Sequence, residues 1–180
     1  MASSAPELRG DRRRQIVDAA LELLEAEGPG GLSMRRVADR VGIRAPSIYE
    51  HVPDKRTLEA AVISVGFERQ AAAFEAAVED AADPLAAIAH AYRAFARANP
   101  HLYRLMTARE LHRELLEPGV EDRAGRTVFE AAGRDRDLAR AAWAFAHGMT
   151  ILELDNRFPA DADLDAAWRR GIAAFGAQRA

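Results

Sequence analysis

Residues 33–55, SMRRVADRVGIRAPSIYEHVPDK, set helix starts and stops so close together that two short helices around a tight turn are the simplest fold for them. Ser33 is a strong N-cap, because its hydroxyl can accept from an otherwise free N–H of the first turn. Val37, Ala38 and Val41 recur at helical spacing, and Gly42 supplies the left-handed residue that ends a helix. Ile43 is expected to turn inward. Ala45 opens a second helix with Pro46 in its first turn, where a missing N–H costs nothing. Ile48, Tyr49 and Val52 supply that helix's apolar positions before Pro53 blocks continuation. Helix, glycine turn, helix is the helix-turn-helix arrangement, whose second helix enters the major groove of DNA.

Charge distribution agrees with that motif, although the net charge of −3 alone would not suggest nucleic acid. Residues 31–56 hold six basic and three acidic side chains, whereas residues 61–180 hold fifteen and eighteen. A basic patch in a mildly acidic chain suits a small DNA-reading module attached to a module that does not bind DNA. The single lysine, Lys55, stands just after the second motif helix, where an ammonium can reach a phosphate as a point charge. The chain has no cysteine, which excludes disulfides, thiolate metal sites and a cysteine nucleophile. No apolar run approaches the roughly 20 residues that span a bilayer. The N-terminus has no signal-peptide pattern, so a cytoplasmic protein without membrane partners is expected.

Helical periodicity continues on both sides. Residues 1–10 lack periodicity and are expected to be a disordered leader, with Arg9 and Arg12–Arg14 forming either a DNA-contacting arm or a solvated junction. Ile16, Ala19, Ala20, Leu23 and Leu24 line one face of a helix over 11–27, followed by the linker Gly28-Pro29-Gly30-Gly31. Asp54 can cap a long helix running to about residue 80. Further helices are expected from Pro84 to Asn99, near Leu102–Met106, and over 121–132 and 135–155. A last helix carries Leu164, Trp168, Ile172 and Phe175 at spacings of four, four and three. The fold class is therefore all-α, with a helix-turn-helix domain over 11–60 and a helical domain over 61–180.

GLSMRRVADRVGIRAPSIYEHVPDKRTLEAAV, residues 31–62, resembles the DNA-binding domain of TetR-family transcriptional regulators, and RRQIVDAALELLEAEG resembles that family's first helix. AYRAFARANPHLYRLM and WAFAHGMTILELDNRF resemble the ligand-domain subgroup named for a Trp-His-Gly signature; here three residues separate Trp143 from His147-Gly148. The resemblance implies a three-helix head joined by a long fourth helix to a C-terminal ligand-binding and dimerisation bundle. It implies a homodimer on a palindromic double-stranded operator, released by a small-molecule effector and needing no other cofactor.

By the same resemblance, Arg35 matches a position that can reach a base, and its fork can read guanine O6 and N7. Ala45, Pro46 and Ser47 form the leading end of the second motif helix, with Arg44 beside them in the turn. Ser33, Tyr49, His51 and Lys55 match phosphate contacts. Each has a plainer alternative: Tyr49 as half-buried core, His51 as a helix end, the arginines as solvated charges. Glu50 departs from the aromatic or basic residue common near its place. Tyr92, Phe95, Leu102, Tyr103, Met106, Trp143, His147, Thr150 and Leu154 are candidates for the pocket wall or, equally, for ordinary core. Met149, Leu152, Trp168, Ile172 and Phe175 are candidates for the dimer bundle or for intrachain packing.

Two other classes compete. A helical enzyme or small-molecule-binding protein with an incidental helix-turn-helix would use His90, His101, His112 or His147. The chain carries no HExxH, paired ExxH or Gly-rich phosphate loop, so neither a catalytic nor a metal site is expected. An architectural DNA-binding protein without a ligand is the other.

Overall fold

The computed structural model describes residues 5–176, with side chains from residue 10 onward. Within them lie nine α-helices, two short 3₁₀ turns and no strand. The helices are α1 (Ala5–Glu27), α2 (Met34–Val41), α3 (Ala45–Ile48), α4 (Lys55–Val78), α5 (Pro84–Ala98), α6 (Pro100–Thr107), α7 (Val120–Ala131), α8 (Arg136–Leu154) and α9 (Leu164–Gly176). None is long and apolar enough to cross a membrane.

The first helix departs from expectation by starting at Ala5, so residues 5–10 are not a disordered leader. Pro6 falls in the first turn, where it is tolerated, and Gly10 costs only about 1 kcal/mol against alanine in a helix interior. The first four residues and the Arg9 side chain lie outside the described residues.

Two compact units divide the chain, and the division is not the expected cut at residue 60. One unit comprises residues up to Gly66 together with Asn99–Pro118; the other comprises Phe67–Ala98 and everything from Gly119. In the first unit Ile16, Ala20 and Leu24 of α1 are fully buried, as are Val37, Ala38, Ile48, Val52, Leu58 and Val62, and α1 packs on α2 and α6. Segment 99–118 joins this unit through contacts that only the fold creates. Asn99 occupies the N-cap position of α6 without capping it through its side chain. The cap comes from α1 instead: the Glu25 carboxylate accepts from the Leu102 N–H at 2.7 Å. The Ser64 hydroxyl donates to the Ala60 carbonyl at 2.9 Å and accepts from the Glu117 N–H at 2.9 Å, so this buried group is satisfied twice. Gly66 lets α6 approach α4, because a Cβ there would meet the Met106 sulfur and Leu102 Cδ1.

In the second unit α5 packs against α7, α8 and α9, which also pack in part on one another. Phe74 of α4 stacks on Tyr92 of α5 at 6.2 Å, and Arg123 of α7 pairs with Glu75 of α4. Arg93 of α5 is the centre of a charged cluster. Glu153 of α8 holds it by two hydrogen bonds of 2.8 and 2.9 Å, and Asp165 of α9 by one of 2.6 Å. Its guanidinium lies 5.5 Å from the centre of the Trp168 ring, whose Nε1 donates to Glu153 at 3.3 Å.

Candidate nucleic-acid interface and apolar cavity

The turn motif forms by its own local chemistry. Ser33 has extended backbone and its Oγ accepts from the Arg36 N–H at 3.3 Å, the cap its sequence position implies. Gly42 takes φ 75°, ψ 31°, and its N–H closes α2 on the Ala38 and Asp39 carbonyls. Arg44 has extended backbone and leads into α3, with Pro46 in the first turn. The second motif helix is shorter than its apolar spacing suggested: regular helix ends at Ile48. Three tighter bonds follow, from the Tyr49, Glu50 and His51 N–H groups to the Pro46, Ser47 and Ile48 carbonyls. Pro53 then ends the segment, and the Asp54 carboxylate accepts from the Thr57 N–H at 2.7 Å to start α4. That hydrogen bond, with the attraction of Arg56, holds the Asp54 carboxyl below the usual aspartate range.

The arginines of this segment divide into two kinds. Arg36 pairs with Glu27 of α1, which raises its pKa through the hydrogen bond and the opposite charge. Arg40 pairs with Glu22 of α1 at 2.8 Å. Arg35 and Arg44 are exposed and have no acidic partner among the described residues. Pro46 and Tyr49 are exposed as well, Tyr49 at 51%, which removes the alternative of Tyr49 as core. Ser33, Ala45, Ser47 and His51 are half-buried. Lys55 is exposed and its Nζ lies 3.6 Å from Glu59, a loose surface pair that leaves the ammonium able to move. The core of the motif thus rests on Val37, Ala38, Ile48 and Val52, while its polar edge stays open.

The second unit contains a small apolar cavity of about 20 Å³, partly open to solvent. Leu85, Ile88, Ala89 and Tyr92 of α5 form one wall. Ala142, Trp143, Phe145 and Ala146 of α8 form another, completed by Val128 of α7 and by Ile172 and Phe175 of α9. Of the expected pocket residues, only Tyr92 and Trp143 line it. Phe95 is buried elsewhere on α5. His147 is stacked on Trp143 at 6.1 Å, and its burial lowers its pKa. Thr150 is buried with its hydroxyl lacking a hydrogen-bond partner, and Leu154 is half-buried. Leu102, Tyr103 and Met106 are core of the other unit.

Two residues of the expected dimer set are core of their own chain instead. Trp168 is fully buried and Ile172 is 5% exposed inside their own chain, because the apolar stripe of α9 faces α5 and α8. Phe175 packs on Phe145 at 5.6 Å and lines the cavity. Met149 is half-buried, and only Leu152 is largely exposed. Sequence reasoning missed Phe145, although Ala142, Phe145, Ala146 and Met149 recur at three- and four-residue spacing. It also missed Arg93, Glu153 and Asp165, which have no local signature.

Two family models match this chain: that of bacterial regulatory proteins of the tetR family over residues 16–62, and that of the tetracyclin repressor-like C-terminal domain over 85–175. The uncharacterized HTH-type transcriptional regulator YobS of Bacillus subtilis is 26% identical over 165 residues, 86% of this chain and 85% of that one. The crystal structure of the putative regulatory protein SCO4313 superimposes with a TM-score of 0.76 at 23% identity, covering 96% of this chain and 98% of that one, a likeness of fold. The multidrug binding protein EbrR, complexed with imidazole, has a TM-score of 0.67 at 25% identity, covering 92% of this chain and 89% of its own. With the turn motif, the helical second unit and both family models in agreement, the chain belongs to the TetR family of transcriptional regulators and is not an enzyme.

Proposed function

We propose that the protein is a ligand-released repressor that acts in the cytoplasm as a homodimer on a two-fold-related operator. The observation that carries the DNA-reading part is the division of the arginines. Glu22 and Glu27 neutralise Arg40 and Arg36, so Arg35 and Arg44 are left to meet a polyanion. On this reading Arg35 reads a base, while Ser33, Tyr49, His51 and Lys55 anchor phosphates. Ala45, Pro46 and Ser47 approach the groove floor at the leading end of α3. Operators are obtained by selecting genomic fragments bound by the purified protein, and affinity is followed by fluorescence anisotropy. Arg35→Ala is expected to lose about 1–2 kcal/mol of discrimination at one base pair. Arg36→Ala is expected to leave the preference intact. An Arg35→Ala protein with the parent's preference would remove Arg35 from base reading.

The cavity of the second unit is the proposed effector site. Its walls are apolar and aromatic, as in ligand pockets, and an effector must widen it on entry. The imidazole complex of EbrR is in keeping with a small-molecule site in a related fold. An effector weakens operator binding only to the extent that it prefers the conformation with lower DNA affinity. Trp143 with the His147-Gly148 pair supports assignment to the Trp-His-Gly subgroup.

For dimerisation the proposed face is the outer side of α8, where Ala141, Ala144, Gly148 and Leu152 recur at spacings of three, four and four. A Cβ added at Gly148 would meet nothing within 4 Å in the chain itself. Gly148→Ala should therefore stabilise the isolated chain by up to about 1 kcal/mol through helix propensity. Against a partner helix packed closely at that point, the same methyl should raise the dimer dissociation constant about tenfold. Sedimentation equilibrium beside thermal melting separates the two: a higher Tm with unchanged dimerisation would rule out this face.

A further inference from the structure

We propose that Glu50 reads cytosine in the operator, its carboxylate accepting from the N4 amino group at the edge of that base in the major groove. Glu50 adds to the DNA-binding surface proposed for the turn motif, and its role rests on that reading. It stands two residues after Ile48 and two before Val52, both fully buried. At roughly 100–120° per residue, two steps from each buried side chain carry Glu50 to the opposite, outward side. The backbone keeps that rotation here, because the Glu50 N–H donates to the Ser47 carbonyl at 3.4 Å and the Val52 N–H to the Ile48 carbonyl at 2.9 Å. Pro46, one turn earlier, shares the outward side, and both residues are exposed. Tyr49 and His51 fall on its two flanks. With those two on phosphates, the carboxylate between them is aimed at base edges rather than at a strand.

The chemistry of the carboxylate decides which base. Glu50 has no cationic partner and no side-chain hydrogen bond among the described residues. Three cations of the motif are engaged elsewhere: Arg36 and Arg40 by Glu27 and Glu22, and Lys55, loosely, by Glu59. A carboxylate offers acceptors only. Phosphates repel it, and in the groove guanine O6 and N7 and thymine O4 repel it as well. The amino groups of cytosine and adenine are the donors left. Adenine sets its N6 donor beside the N7 acceptor, which would face the second carboxylate oxygen, whereas cytosine presents N4 with no acceptor of its own in that groove. Cytosine is therefore the base that a carboxylate at this place prefers, and rejection of the others adds to the selectivity.

The test uses the full chain and a genomic fragment selected with it. Every base pair of the bound site is replaced in turn by the other three, and affinity is followed by fluorescence anisotropy at a fixed salt concentration. At one position the parent is expected to bind cytosine at least about tenfold more tightly than thymine or guanine. Glu50→Ala should flatten the preference at that position alone. Glu50→Gln should shift it to adenine, which a glutamine side chain bonds through both N6 and N7. Both variants should melt with the parent, since the side chain is exposed and holds nothing. A Glu50→Ala protein that binds every site more tightly by one common factor, with its preferences intact, would overturn the reading role and leave the DNA-binding surface standing. An adenine preference in the parent that Glu50→Ala removes would overturn cytosine as the base. A parent that selects no fragment would overturn this role together with the DNA-reading proposal beneath it.

Discussion

Replacing Gly171 with valine is expected to destabilise the protein by about 3 kcal/mol, seen calorimetrically as a fall in Tm of roughly 6–12 °C. A Cβ at Gly171 would overlap the Phe145 ring at Cζ, Cε2 and Cε1. These are atoms of a rigid ring, so no flexible tip can swing aside. To make room, Phe145 must turn about its Cα–Cβ bond and give up its edge contact with Trp168 at 5.7 Å and its tilted contact with Phe175 at 5.6 Å. Each aromatic contact contributes about 0.5–1.5 kcal/mol beyond area burial. The gain in helix propensity of valine over glycine is only a few tenths of a kcal/mol and cannot offset this. Phe145→Leu in the same background should recover much of the loss, because the two substitutions act on one overlap. A Gly171→Val protein melting within about 2 °C of the parent would show that α9 and the ring have slack.

One glycine of α8 and one of α9 mark what the sequence could and could not tell. Gly148 and Gly171 both stand inside helices, yet one faces open space and the other bears a phenyl ring. Nothing local distinguishes them. The turn motif was legible because its signals act within four residues: Ser33 on the Arg36 N–H, Gly42 on the end of α2, Asp54 on the Thr57 N–H. Core faces were legible for the same reason, and Ile16, Ala19, Ala20, Leu23 and Leu24 are all buried. Periodicity names the apolar face of a helix but not what covers it. Hence Trp168 and Ile172 read equally well as a dimer seam, and only the packing of α9 on α5 and α8 decides against it. Contacts between residues far apart in the chain were out of reach. Glu25 caps α6 across 77 positions, and Arg93 meets Glu153 across 60. The first of these places segment 99–118 with the helix-turn-helix unit, which a cut at residue 60 had missed.

Glu153→Gln is expected to lower stability by about 3 kcal/mol at neutral pH, and to do so in a pH-dependent way that identifies the cause. The Arg93 and Glu153 side chains are only 13% and 14% exposed, so their pairing is little screened by water. Burial alone would raise the Glu153 carboxyl pKa, but the hydrogen bonds and charge of Arg93, with Trp168 and Arg97, outweigh it and leave the carboxyl below its ordinary range. A carboxyl depressed in the folded state stabilises the fold above its unfolded pKa, and the contribution is lost as pH falls through the folded value. The difference in Tm between parent and Glu153→Gln should therefore be constant near neutrality and shrink as pH drops below about 4. Asp165, whose carboxyl is also lowered chiefly by its hydrogen bond to Arg93, titrates in both proteins and largely cancels from that difference. Glutamine keeps the shape and one acceptor for the Trp168 N–H, so what is removed is the charge that answers Arg93. A difference that stays constant into acid would assign the loss to packing. The ion pair would then be incidental to how α5, α8 and α9 are held around the cavity.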